Sequence, residues 1–248
     1  MRVAAIYDIH GNLPALEAVL EEIRQAGVDR VVVGGDVVPG PMPRESLAAL
    51  RGLEIPVQFI QGNGERVVLG QIAGVEATEV PEPYRGVIRW VAQQYRADDE
   101  QFVASWPQTL RLDVDALGDV LFCHATPRND SEIFTRLTPD EPLIPIFDAA
   151  DAALVVCGHT HMQFDRTIGR TRVVNAGSVG MPFGEPGAYW LLLTPNVELR
   201  RTRYDLTTAA QRLRETQYPD ADSFAARYVL NPPSEREMLE AFGKAELR

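Results

Sequence analysis

Four histidines occur among the 248 residues: His10, His124, His159 and His161. Each follows an apolar run, as in "VAAIYDIH", "DVLFCH" and "ALVVCGHTH". Asp8, Asp36 (in "VVVGGD") and Asn63 (in "VQFIQGN") occupy equivalent places. Imidazole nitrogen and carboxylate oxygen together suit borderline divalent metals. Asp8 and His10, like His159 and His161, are two residues apart, so both side chains of a pair can leave a strand exit toward one pocket. The single threonine between His159 and His161 lets the two rings reach two different ions. A carboxylate such as Asp36 can give one oxygen to each of them. A lone histidine after a strand is more often an ordinary core or loop residue. All four in that position, joined by Asp8, Asp36 and Asn63, reverse those odds and point to a metal centre. Glycines before Asp36, Asn63 and His159 allow close backbone turns beside the cations.

The elements that must position these residues read as follows. "RVAAIY" is a short buried strand. In "NLPALEAVLEEIRQAG", Leu13, Leu16, Val19, Leu20 and Ile23 recur at helical spacing and Gly27 suits the stop. "DRVVVGGD" reads as a strand, "PRESLAALRGL" as a helix and "PVQFIQGN" as a strand ending at Asn63. This alternation predicts parallel βαβ units, in which ligands sit beyond the carboxyl ends of the strands. Residues 65–106 read as a helical insertion. Three hairpins follow, turning near Leu117-Gly118, at Gly169 and at Pro195-Asn196. The strand "AALVVCGHTH" lies between the first two. The chain from about residue 207 to 248 is helical and charged, interrupted by "NPP" at 231–233. The order predicts one α/β domain over 1–248, its first part parallel and its last part antiparallel, with two packed mixed sheets flanked by helices. Tyr84, Trp90, Tyr95 and Trp106 in the insertion either line a cleft or, as aromatics more often do, pack helices onto the core.

Composition narrows the partners. The net charge of −11 disfavours a nucleic-acid groove, which needs clustered Lys and Arg. Phosphate substrates stay open, because bound cations reverse the local sign. Cys123 and Cys157 sit in apolar runs and read as buried small hydrophobes, which fits a reducing, cytoplasmic compartment. The first residues lack a signal-peptide cleavage site, and no run approaches the roughly 20 apolar residues of a membrane span.

The motifs "DIH", "GGD", "GNGE", "CH" and "GHTH", in that order, resemble the calcineurin-like metallophosphoesterase superfamily over roughly residues 1–205. "NAGSVG" after "GHTH" resembles its small prokaryotic phosphodiesterase branch. The resemblance implies a four-layer α/β-β/α sandwich and a dinuclear centre at the strand ends. Asp8, His10 and His161 would hold one ion, Asn63, His124 and His159 the other, and Asp36 would bridge. The ions would be Mn²⁺, with Fe, Ni²⁺ or Zn²⁺ as other fits. The implied reaction is phosphodiester hydrolysis, in which a hydroxide shared by the ions attacks phosphorus in line. Asp36 and Asn63 are then catalytic as well as ligating. Arg128 in "HATPRND" would orient a phosphate oxygen or form a surface salt bridge, and Asn12 would bind phosphate or shape its loop. The superfamily often has a histidine where this chain has Gly64; the following acid is kept as Glu65, as a substitute proton donor or a structural hydrogen-bond partner. The substrate would be a small phosphate ester or a nucleotide, and the chain could form homo-oligomers. Rival readings are a nucleotide or dinucleotide-polyphosphate phosphatase, a nuclease, and a non-catalytic binding scaffold on the same fold.

Overall fold

A computed structural model describes residues 1–78, 80–245 and 247. The strands form two five-stranded sheets packed face to face. In the first, β1 (Val3–Ile6), β2 (Arg30–Val33) and β3 (Val57–Phe59) run parallel. The hairpin of β9 (Ala188–Leu193) and β10 (Val197–Thr202) joins them through the antiparallel pair β1–β9. In the second, the order is β4 (Thr109–Val114), β5 (Gly118–Cys123), β6 (Leu154–Cys157), β8 (Thr171–Asn175), β7 (Phe164–Ile168).

Strand alternation assigns the layers. Val3, Ala5 and Tyr7 face the second sheet and meet Val120, Phe122, Val156 and Val174. Ala4 and Ile6 face the opposite way, onto helices α1 (Leu13–Ala26) and α2 (Pro43–Arg51). Because both faces are covered, β1 has no polar face and reads as a continuous apolar run. Helix α1 starts where Asn12 Oδ1 accepts from Ala15 N and stops at Gly27, whose left-handed φ of 60° suits glycine. It buries the stripe of Leu13, Leu16, Val19, Leu20 and Ile23, at about 1.5–3 kcal/mol per large apolar side chain. The outer face of the second sheet is covered by the short α6 (Ile144–Asp148) with Phe134 and Leu143.

Two expectations are corrected. Strand β3 stops at Phe59, and Asn63 opens helix α3 (Asn63–Ile72) instead of closing a strand. A strand prediction runs on through "IQGN" because Ile60 is apolar and buried and its N still donates to Val33 O of β2 (3.0 Å), although the strand itself ends at Phe59. The later strands are also not simply antiparallel: β6 pairs in parallel with both β5 and β8, while the β9–β10 hairpin crosses to the first sheet. Hairpin turns encode local pairing, but not the sheet edge that a hairpin joins.

Beyond α3, residues of the middle segment form α4 (Glu82–Gln94) and α5 (Ala97–Ala104). Trp106 stacks on Phe59, Tyr95 packs against the core, and Trp90 meets Tyr218 edge-on. Tyr84 is the exposed member of the four aromatics. The last segment holds α7 (Leu206–Arg214), α8 (Ala221–Phe224) continued by a π-helical turn, and α9 (Glu235–Phe242) after the prolines. Among the described residues, no helix is long and apolar enough to cross a membrane.

Candidate metal centre

The exits of β1, β2, β5 and β6 meet at one rim, where their backbones are laced together. Asp8 N donates to Gly35 O (3.1 Å), His10 N to Asp36 O (2.9 Å) and Gly158 N to His124 O (2.8 Å). The "NAGSVG" loop closes the rim: Val179 N donates to Tyr7 O, Gly180 N and Ser178 Oγ both donate to Asp8 O, and Asn175 Nδ2 donates to Gly158 O. The sequence marked this loop without assigning these bonds to it. Asp8, His10, Asp36, His159 and His161 all have φ between 49° and 66°. Left-handed backbone at a non-glycine residue costs on the order of 1–3 kcal/mol and persists only where surrounding structure imposes it. Here it turns five side chains back over the strand ends.

The four imidazoles are each anchored by one nitrogen to a backbone carbonyl. His10 Nδ1 donates to Pro39 O (3.1 Å), His124 Nδ1 to Gly34 O (2.9 Å), His161 Nδ1 to Met181 O (2.7 Å), and His159 Nε2 to Ser131 O (3.2 Å). A carbonyl only accepts, so the anchoring nitrogen carries the proton and the other keeps its lone pair. This is the arrangement of metal-ligating histidines.

The carboxylates lie among these lone pairs. Asp8 is fully buried; its Oδ2 accepts from His159 N (2.9 Å), while Oδ1 has no hydrogen-bond partner among the described residues. Around Oδ1 stand Nε2 of His161 (3.3 Å), His124 (3.8 Å) and His10 (3.9 Å). Asp36 Oδ2 is 3.7 Å from His10 Nε2 and its Oδ1 is 3.6 Å from His124 Nε2. Asn63 Oδ1 is 3.0 Å from His124 Nε2. Two groups have mutual spacings suited to a cation: Asp8, His10 and His161, and Asp8, Asp36 and His124. His159 stands beside the second, its ring 5.2 Å from that of His124. A buried carboxylate oxygen without a hydrogen-bond donor, ringed by imidazole nitrogens, is costly unless protons on those rings or a metal cation balance it. The donors present therefore fit divalent metal.

The electrostatics agree. Burial pushes the Asp8 carboxyl up, but His161, His124 and His10 outweigh it and hold the group below the usual carboxylate range. Burial, assisted by His124, lowers His159 to about 4, and burial with His161 lowers His10. Burial opposes charge on His124 too, but Asp36 and Asp8 outweigh it and raise that group.

The remaining candidates sit differently. Asn12 is buried, with Nδ2 donating to Gly180 O and Oδ1 capping α1, so it shapes the loop. Arg128 forms a forked pair with Glu132, beside a small cavity of about 20 Å³ that His124 also lines. Glu65 is buried and accepts four backbone N–H groups: Asp36 (2.8 Å) and Gly62 (2.8 Å) on Oε2, Val37 (2.7 Å) and Val38 (3.3 Å) on Oε1. Burial and Asp36 push its carboxyl up to about 7, against the pull of these amides. Both oxygens face donors only, so the carboxylate form is the one the pocket is built for. Glu65 clips the Asp36 loop to the start of α3. Gly64 N donates to Asp36 Oδ1 (2.7 Å), and a Cβ at Gly64 would fall against the Pro39 ring.

The chain is similar to known proteins along most of its length. The sequence model of the calcineurin-like phosphoesterase superfamily domain matches residues 1–196. An uncharacterised protein of Methanocaldococcus jannaschii is 27% identical over 239 residues, covering 88% of this chain and 94% of the relative. A metallophosphoesterase from Sphaerobacter thermophilus superposes with a TM-score of 0.73 at 27% identity, covering 92% of this chain and 98% of that one. A hypothetical protein from Pyrococcus horikoshii superposes with a TM-score of 0.77 at 20% identity, covering 94% and 99%, and shares the fold.

Proposed function

Since the chain belongs to the calcineurin-like phosphoesterase superfamily, and so is a metal-dependent phosphoesterase, we propose that it hydrolyses phosphodiesters at a centre of two divalent cations. The observation that carries this reading is the placement of Asp36. Its two oxygens face different imidazoles, His10 and His124, so that it could serve ions held on either side. Asp8, His10 and His161 then form one half-site, and Asn63, His124 and His159 the other. The mixed nitrogen and oxygen donors suit Mn²⁺, with Fe, Ni²⁺ and Zn²⁺ as alternatives. When bound, two such cations supply Lewis acidity to the phosphoryl oxygens and a water acidic enough to attack near neutral pH.

The chain's own residues supply position. The carbonyl anchors fix each imidazole tautomer, and the Glu65 clip fixes Asp36 relative to Asn63. Asn12 is assigned no step, its side chain being taken up by Gly180 and Ala15. Arg128 is assigned to the loop, through Glu132. Neither position 64 nor Glu65 offers a proton to the leaving group, which favours esters whose alcohol departs as a stable anion. The protein should therefore be stripped of metal, reloaded with Mn²⁺, and assayed on bis(p-nitrophenyl) phosphate, p-nitrophenyl phosphate and single-stranded DNA. Preferential cleavage of the diester is expected. A faster monoester reaction would replace the phosphodiesterase reading, a faster DNA reaction would narrow it to a nuclease, and inertness with every metal named would remove it.

A further inference from the structure

Arg66 lies in the first turn of α3, three residues after Asn63. Its side chain crosses to the loop that follows β5. Nε donates to Asp130 Oδ2 (2.7 Å), and a terminal nitrogen donates to Asp130 Oδ1 (3.1 Å) and Ser131 Oγ (3.0 Å). Two N–H groups on one carboxylate form the fork that arginine makes and lysine does not. Ser131 Oγ also donates to Asp130 Oδ1 (2.7 Å), so the acid, the hydroxyl and the guanidinium form one unit.

That unit ends on a backbone carbonyl of consequence. Ser131 O accepts the Nε2 proton of His159, at 3.2 Å. It therefore sets both the tautomer and the direction of that ring. The same loop begins at His124, whose Nε2 lies 3.0 Å from Asn63 Oδ1. Within the loop, Asn129 Oδ1 accepts from Ser131 N (2.6 Å) and Glu132 N (2.9 Å), bonds that shape it without tying it to α3. The Arg66 fork makes that tie. One helix thus carries Asn63 and, a turn later, the clamp on the carbonyl that aims His159.

We propose that Arg66 is a positioning residue for the half-site of Asn63, His124 and His159, acting on His159 through Asp130 and Ser131. This rests on the two-cation reading above. A plain surface ion pair would leave metal affinity unchanged. Loss of an outer partner of a ligating histidine instead costs about 10–100-fold in affinity at the site concerned.

The test is a calorimetric titration of metal-free protein with Mn²⁺, comparing wild type, Arg66→Gln, Arg66→Lys and Asp130→Asn. Wild type should take two equivalents. In Arg66→Gln, one should bind as in wild type and the other about 10–100-fold more weakly. Arg66→Lys should stay weakened, because an ammonium cannot make the fork. Asp130→Asn keeps the side chain's size and should weaken the same equivalent less, which provides a measurement if Arg66→Gln does not fold. Unchanged affinities, or equal weakening of both equivalents, would overturn the proposal while leaving the two-cation centre standing. Fewer than two equivalents in the wild type would remove both.

Discussion

The Nε2 atoms of His10 and His161 stand 3.2 Å apart, and each ring has its proton on the opposite nitrogen, held by Pro39 O and Met181 O. Two lone pairs at that distance repel unless a cation draws both. Asp8 Oδ1, 3.3 Å from His161 Nε2, adds a third donor to the same point. Phe183 stacks on the His161 ring at 5.1 Å and limits its movement away. With both rings neutral, that repulsion is one that a metal cation between them would relieve.

Chelation should therefore lower stability, and metal should restore it. Mn²⁺ at 100 times its dissociation constant stabilises by about 2.7 kcal/mol per site. At about 2–4 °C per kcal/mol for a chain of this size, the melting temperature should rise by at least roughly 5 °C. The shift should shrink in His161→Ala. A thermal scan in which Mn²⁺, Ni²⁺ and Zn²⁺ all leave the wild-type midpoint unmoved would contradict the centre.

Glu65→Gln should destabilise even the metal-free protein. Glutamine offers one oxygen where four buried N–H groups need two, and its amide nitrogen would face donors in either orientation. With two donors stranded at about 1–3 kcal/mol each, the loss should be roughly 2–6 kcal/mol in urea unfolding. The substitution should also weaken metal uptake by freeing Asp36. A change in stability below about 0.5 kcal/mol, the range of neutral surface substitutions, would show that the clip is not needed.

The gathering of the candidate ligands is legible because histidine is scarce in this chain and its placement is regular. Asp8, His10, Asp36, His124, His159 and His161 all gather where the strand-end rule places them. Asn63 reaches the same point from a helix start, which an apolar run ending in "GN" does not distinguish from a strand exit. Glu65 reads in the sequence as either a proton donor or a structural hydrogen-bond partner; it is the second, but which groups it holds is hidden, because backbone amides leave no residue-type trace. The Arg66 fork and the Ser131 carbonyl were invisible for a related reason: they depend on a loop 64 residues away in sequence. The β9–β10 hairpin shows the same limit at the level of the fold, its turn readable and its destination beside β1 not.

The acid limb of the stability curve should depend on Asp130. Burial raises its carboxyl, but the bonds from Arg66 and Ser131 outweigh burial and hold it below the ordinary value of 3.8. With a folded pKa below the unfolded one, the stabilisation is complete above the unfolded value and is lost as pH falls through the folded one. Wild type should lose stability between about pH 5 and pH 2, and Asp130→Asn should lose less over that interval. Parallel acid limbs in chemical denaturation would show that the pair contributes no proton linkage.

Position 64 sets the last expectation. Gly64 does more than lack a side chain, because a Cβ there would meet the Pro39 ring and lie 2.7 Å from Asp36 Oδ1. The space a histidine would need is filled. A general acid is worth about 10²–10⁴-fold, and most of that is at stake when the leaving alkoxide is basic. Aryl phosphodiesters should therefore be cleaved at least about 10²-fold faster than alkyl diesters under the same Mn²⁺ loading. Gly64→His alone should not narrow the gap, since its Cβ displaces Asp36 or Pro39 and metal uptake should fall with it. Equal aryl and alkyl rates in the wild type would mean that another group already protonates the leaving oxygen.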